Sequence, residues 1–200
     1  MSEFWNQRYA VEEYIFGTEP NAFLRAQAHH LIPGQKVLAV ADGEGRNGVW
    51  LARQGLDVLA VDVSPPALAK ARKLADRHGV TLETELADLF AWEWGEERFD
   101  AVVAIFIQFV PPEGRRHLHQ LMRQALKPGG LILLQGYTPK QLEYKTGGPS
   151  ERANLYTAED LRGEFADLEI LHLREYDSEI NEGAGHSGMS ALVELVARKT

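Results

Sequence analysis

The chain of 200 residues reads as one α/β domain built on a mostly parallel sheet. Three observations carry that reading. Short apolar runs rich in Val, Ile and Leu recur, amphipathic stretches separate most of them, and the last two runs follow one another with no helical pattern between.

The predicted strands run Lys36 to Val40, Asp57 to Val61, Thr81 to Glu85, Phe99 to Ile105 and Leu131 to Gln135. A helix is expected from about Val49 after the first strand. Another opens at Ser64-Pro65-Pro66, an N-cap followed by first-turn prolines, with Leu68, Ala71, Leu74 and Ala75 at helical spacing. Pro111-Pro112-Glu113 opens a third, whose apolar face is Leu118, Leu121, Met122 and Leu126, and Lys127-Pro128-Gly129-Gly130 stops it. Residues 137–156 are rich in Gly, Pro, Thr and Lys without periodicity and read as a mobile loop; Thr157-Ala158-Glu159-Asp160 then signals a capped helix. Leu168 to Tyr176 and Met189 to Ala197 read as an antiparallel pair joined by a glycine-rich segment.

Composition narrows the function. With 44% hydrophobic residues, 25% charged and no cysteine, the chain needs no staples, and disulfides and thiolate metal sites are excluded. A net charge of −8 has the wrong sign for holding phosphate backbones, so a small-molecule substrate is expected rather than nucleic acid. No apolar run reaches membrane-span length and the first residues lack a signal-peptide layout, so a cytoplasmic location with no membrane partner is expected. His29-His30 and His117-x-His119 lack companion ligands; they read as helix surface, and no metal is expected. Trp92 and Trp94 read as a surface turn at the sheet edge. The oligomeric state is not legible.

The strongest local signal is Val37-Leu38-Ala39-Val40-Ala41-Asp42-Gly43-Glu44-Gly45-Arg46-Asn47-Gly48, a strand, a tight turn and a helix start. Glycines there let a ligand approach the backbone. Asp62 ends the second strand 19 positions after Gly43, where a carboxylate accepts from both ribose hydroxyls, so an adenosine-type ligand is implied. Two alternatives stand beside this. The glycines can simply make a turn while Asp62 caps the next helix, leaving a non-catalytic nucleotide binder. Gly43-x-Gly45-x-x-Gly48 also satisfies the dinucleotide fingerprint of an NAD(P)-dependent oxidoreductase.

With Gly43-x-Gly45, Asp62, Ala87-Asp88-Leu89, Phe99-Asp100 and Lys127-Pro128-Gly129-Gly130, the sequence resembles class I S-adenosylmethionine-dependent methyltransferases. The segments Phe4-Trp5-Asn6-Gln7-Arg8-Tyr9 and Tyr14-Ile15-Phe16-Gly17-Thr18-Glu19-Pro20-Asn21 are similar to those of the bacterial tellurite-resistance and thiopurine enzymes. The resemblance implies a Rossmann-like seven-stranded sheet of order 3-2-1-4-5-7-6, strand 7 antiparallel, with helices on both faces, and S-adenosylmethionine as cofactor. It implies that Gly43 and Gly45 approach the cofactor's methionine part, Asp62 holds the ribose, Asp88 faces the adenine amino group, Leu89 lies on the ring, and Arg8 pairs with the carboxylate. Ile105 to Phe109, Phe106 among them, would pass beneath the sulfonium. Ala41, Asp42, Arg46, Asn47 and Val63 complete the expected cofactor set. The family usually reads Asp or Glu, any residue, then Gly where this chain has Ala39, Val40 and Ala41.

For the methyl acceptor, candidate groups are His186 as base, Tyr137 as orienting group and Gln108 as a donor or acceptor. Trp5, Tyr9, Tyr14, Phe16, Phe106 and Phe109 can form an aromatic box, and residues 1–30 read as an N-terminal lid.

Overall fold

The computed structural model describes residues 2–200, with Met1 outside them. Strand β1 (Lys36–Val40) pairs in parallel with β2 (Asp57–Asp62) on one side and β4 (Phe99–Ile105) on the other. Outside β2 lies β3 (Glu83–Leu86), and beyond β4 lies β5 (Leu126–Tyr137). The long final hairpin, β6 (Glu169–Asn181) and β7 (Ser187–Arg198), inserts β7 antiparallel against β5 and leaves β6 at the edge. The order is therefore 3-2-1-4-5-7-6, as the resemblance implies.

Alternation along the central strands builds two apolar layers. Val37 and Ala39 pack with Phe23, Leu24 and Leu51 on one face, while Leu38 and Val40 join Leu118, Met122, Leu161 and Phe165 on the other. Burial on both faces is why these strands are apolar at nearly every position. The covering helices are α1 (Ser2–Tyr9), α2 (Ala22–Gln27), α3 (Arg46–Arg53), α4 (Pro65–His78), α5 (Pro112–Ala125), α6 (Gln141–Tyr144) and α7 (Ala158–Glu164). Ser64 caps α4 through the Ala67 amide, and Thr157 and Asp160 form a reciprocal capping box on α7, both as expected.

Elsewhere the structure corrects the sequence reading. Helix α3 starts at Arg46, three residues early, because Gly45 takes a left-handed φ of 86° and serves as N-cap. Helix α5 ends at Ala125: Leu126 already pairs with Phe99, and Lys127 to Gly130 bulge out before Leu131 meets Ala101. His119 is not surface but 1% exposed, its Nδ1 within 2.6 Å of the Glu164 carboxylate, which Arg115 also holds. Trp94 is likewise core, donating its indole N–H to the Leu89 carbonyl. Within residues 137–156 lie the short helix α6 and buried Gln141, which accepts from the Ala191 amide and donates to the Gly147 carbonyl.

Candidate functional site

The carboxyl ends of β1, β2 and β4, the turn after β3, helix α1 and the β6–β7 connection enclose one cavity of about 270 Å³. Its floor is Val40, Val103 and Ile105. This is where parallel α/β sheets bind ligands, because neighbouring strand ends diverge there.

At the β2 end, Asp62 is 6% exposed and both its oxygens are engaged: Oδ2 accepts the Gly43 amide and Oδ1 the Ser64 amide, each at 2.9 Å. Burial raises its pKa against the lowering pull of those N–H donors. Val63, Leu89 and the exposed Asp88 continue this wall.

Gly43, Asp42, Ala41 and Asn47 line the cavity over β1. A side chain on Gly43 would meet the Tyr9 hydroxyl at 2.8 Å, so glycine here is what lets α1 lie across the loop. Gly48 has a different reason. Its Cβ would sit 2.5 Å from the Asp42 carboxylate, which accepts the Gly48 amide at 3.1 Å. The third glycine thus admits a side chain that caps α3, and the dinucleotide fingerprint loses its support. Burial pushes Asp42 up to about 7. Ala41 holds a φ of 48°, a left-handed conformation that explains why glycine is usual at this position.

The opposite end is aromatic. Trp5, Phe16, Phe106 and Phe109 line it, with His186 between Phe16 at 4.5 Å and Phe106 at 4.4 Å, ring centre to ring centre. Burial, then the charges of Arg46 and Arg8, push His186 down to about 3, so its imidazole is neutral at physiological pH. Phe106 carries a left-handed φ of 57°, backbone strain at the end of β4 that turns its ring onto Tyr137. Arg46, 6% exposed, pairs through Nη2 with Glu182 at 2.8 Å, while its Nη1 has no partner.

Five expected site residues lie outside the cavity lining: Arg8, Gly45, Tyr14, Gln108 and Tyr137. Arg8 is exposed and stacks on Trp5 and Phe16. Tyr14 donates to the Lys70 carbonyl on α4. Gly45 packs on α4, where a Cβ would meet that of Ala71 at 2.6 Å. Gln108 is a structural clamp, accepting the Tyr137 amide at 2.5 Å and donating to the Tyr137 carbonyl at 2.8 Å. Tyr137 is 1% exposed, behind Phe106 and His186. Conversely, the cavity uses Glu44 and Phe90, which sequence reasoning did not select, and Glu182 holds its Arg46. Glu44 had a readable signal in its place between the two glycines. Glu182 had none, because its partner is 136 positions away in the chain.

Residues 37–130 match the family model described as a methyltransferase domain, and the strand order is the one the resemblance implies. Residues 37–130 carry a methyltransferase domain of the class I S-adenosylmethionine-dependent kind. The chain is 30% identical over 134 residues to the phosphatidylethanolamine N-methyltransferase of Cereibacter sphaeroides, the match covering 66% of each chain. It spans only 38% of the length of an uncharacterized Mycobacterium tuberculosis protein with which it shares 29% identity over 106 residues. Among solved structures, TehB from Haemophilus influenzae superposes with a TM-score of 0.72 at 20% identity, over all of this chain and 67% of TehB. The protein solved in work on converting a disulfide bond into a thioacetal group during echinomycin biosynthesis gives 0.81 at 21% identity, over 100% and 91%. At such identities the likeness is one of fold. Among the described residues no helix is long and apolar enough to cross a membrane.

Proposed function

We propose that this methyltransferase moves a methyl group from S-adenosylmethionine to a small-molecule acceptor by in-line displacement at the aromatic end of the cavity. The observation that carries this is the division of one cavity into a carboxylate-bearing end and an aromatic end, with Gly43 between. When bound, S-adenosylmethionine supplies an electrophilic methyl group on a sulfonium centre. The residues present suit it. Asp62 would hold the ribose hydroxyls, Asp88 and Leu89 the adenine, and the free Nη1 of Arg46 the methionine carboxylate in place of Arg8. The Asp62 carboxylate at this end favours a cationic ligand.

At the acceptor end the chain positions and dehydrates rather than ionises. Trp5, Phe16, Phe106 and Phe109 exclude water, and their faces suit a sulfonium. His186, held near 3, is a weak base, and its neutral imidazole keeps one ring N–H that can donate a hydrogen bond to an anionic incoming group. Such a site favours acceptors that are nucleophilic without a strong base, such as a thiolate or another soft chalcogen anion, over alcohols.

Calorimetric titration with S-adenosylhomocysteine, beside NAD and NADPH, tests the reading. Micromolar binding of S-adenosylhomocysteine alone is expected. Binding of a nicotinamide cofactor instead, or of none of the three, would overturn it.

A further inference from the structure

The β6–β7 connection does two jobs at once. Its turn is closed by the Glu182 amide donating to the His186 carbonyl at 2.7 Å, so the residue at its start and the one on the cavity wall move together. The Glu182 side chain is 10% exposed, and its carboxylate gathers three groups from two elements. Oε2 pairs with Arg46 at the start of α3, and Oε1 accepts the Ala22 amide at 3.1 Å and the Asn21 side-chain amide at 3.0 Å. On the other side of the turn, Gly183 and Gly185 lie against the strap of residues 15–17. The Gly185 amide donates to the Ile15 carbonyl at 3.0 Å, and a Cβ on Gly183 would meet the Gly17 nitrogen at 2.5 Å. Strap and turn thus bring Phe16 and His186 to the acceptor end as one unit.

Arg46 connects this unit to the cavity lining beside the glycine turn. A guanidinium is a rigid planar fork, so an ion pair on Nη2 fixes where Nη1 points. Nη1 is buried, lacks a partner, and belongs to a side chain that lines the cavity. A buried cationic donor without an acceptor is costly, which makes it a position where a ligand oxygen is gained.

We propose that Glu182 is a positioning residue that ties the acceptor wall to the cofactor's carboxylate through the two-ended guanidinium of Arg46. The assignment rests on the methyltransferase reading above. Its consequence is an order of assembly: occupancy of the methionine end tightens the turn that carries His186, so the acceptor pocket is completed after the cofactor is in place.

Hydrogen exchange of the 181–188 segment, measured with and without saturating S-adenosylhomocysteine, tests this in the native chain and in Glu182→Gln and Arg46→Met. In the native chain the ligand should slow exchange of this segment about tenfold or more. Glu182→Gln should bind the ligand within about threefold of native affinity yet lose that protection, and Arg46→Met should bind at least about tenfold more weakly. Equal protection in native chain and Glu182→Gln, or native affinity in Arg46→Met, would overturn the proposal. Should Glu182→Gln fail to fold, Arg46→Lys replaces it: one ammonium cannot serve both oxygens in fork geometry, so retained protection there would also overturn it. Failure of the native chain to bind S-adenosylhomocysteine would instead bring down the functional reading, and this assignment with it.

Discussion

The Asp62 carboxylate, at the end of β2, accepts the Gly43 amide at 2.9 Å and so joins the second strand to the glycine turn after the first. One carboxylate therefore shapes the turn and stands at the proposed ribose position. Asp62→Ala should weaken S-adenosylhomocysteine binding by about 1 to 3 kcal/mol through lost charge-assisted hydrogen bonds. It should also lower the melting temperature, since the Gly43 and Ser64 amides are left without an acceptor. Calorimetry and thermal unfolding read the two effects separately; unchanged affinity with a lowered melting temperature would reduce Asp62 to a structural role.

Gly45 and Ala41 make opposite predictions from the same backbone rule. Gly45→Ala puts a Cβ 2.6 Å from that of Ala71 at a φ of +86°, so it should destabilise by about 2 to 4 kcal/mol, strain and overpacking together. Gly129→Ala, at a φ of +78° with open space around it, should cost only the conformational part, about 1 kcal/mol. Ala41→Gly relieves a φ of 48° and should be neutral to stabilising by up to about 1 kcal/mol. Urea unfolding of the three variants orders them; equal losses at Gly45 and Gly129 would contradict the packing argument.

What was legible in the sequence was whatever the backbone enforces locally. Apolar runs gave the strands, Ser64 and Thr157 gave helix starts, and the step from Gly43 to Asp62 gave the pairing of the glycine turn with the end of β2, because strand length and turn fix that spacing. The errors fall where a side chain's destination depends on distant packing. Arg8 adjoins the lining residue Tyr9 and Tyr14 stands two positions before the lining residue Phe16, yet one stacks outward on Trp5 and the other docks on α4. Gln108 follows β4 as a site residue would, but its amide is consumed by the Tyr137 backbone. Half-buried Glu182 and buried Arg46 meet only because the hairpin returns over α3, which no local pattern encodes.

Asp42 predicts a pH dependence of stability. Its folded pKa of about 7 lies above the ordinary 3.8, so between those values the folded chain holds a proton that the unfolded chain has released. The stability this confers is full below about pH 4 and is lost as pH rises through about 7. Asp42→Asn can still accept the Gly48 amide but has no proton to lose. Melting temperatures of the two proteins from pH 5 to pH 8 should therefore show the native chain declining relative to Asp42→Asn as pH rises; parallel curves would place Asp42 in a more solvated setting.

His186 carries the opposite sign. Its folded pKa of about 3 lies below the ordinary 6.5, so the unfolded chain takes up a proton that the folded chain refuses, and stability is lost as pH falls from about 6.5 toward 3. His186→Phe, which keeps a ring against Phe16 and Phe106, should lose less stability over that range than the native chain. Its effect on function separates two roles. A neutral imidazole that donates a hydrogen bond to the acceptor is absent in both His186→Phe and His186→Ala, so both should slow methyl transfer while leaving S-adenosylhomocysteine affinity within about twofold. If His186→Phe were as fast as the native enzyme and His186→Ala slow, the residue would act by filling the aromatic wall alone. Because the imidazole does not titrate near neutrality, the native rate should show no step between pH 6 and pH 7.5 that His186→Phe removes; finding one would mean that acceptor binding raises its pKa far above the value set by burial.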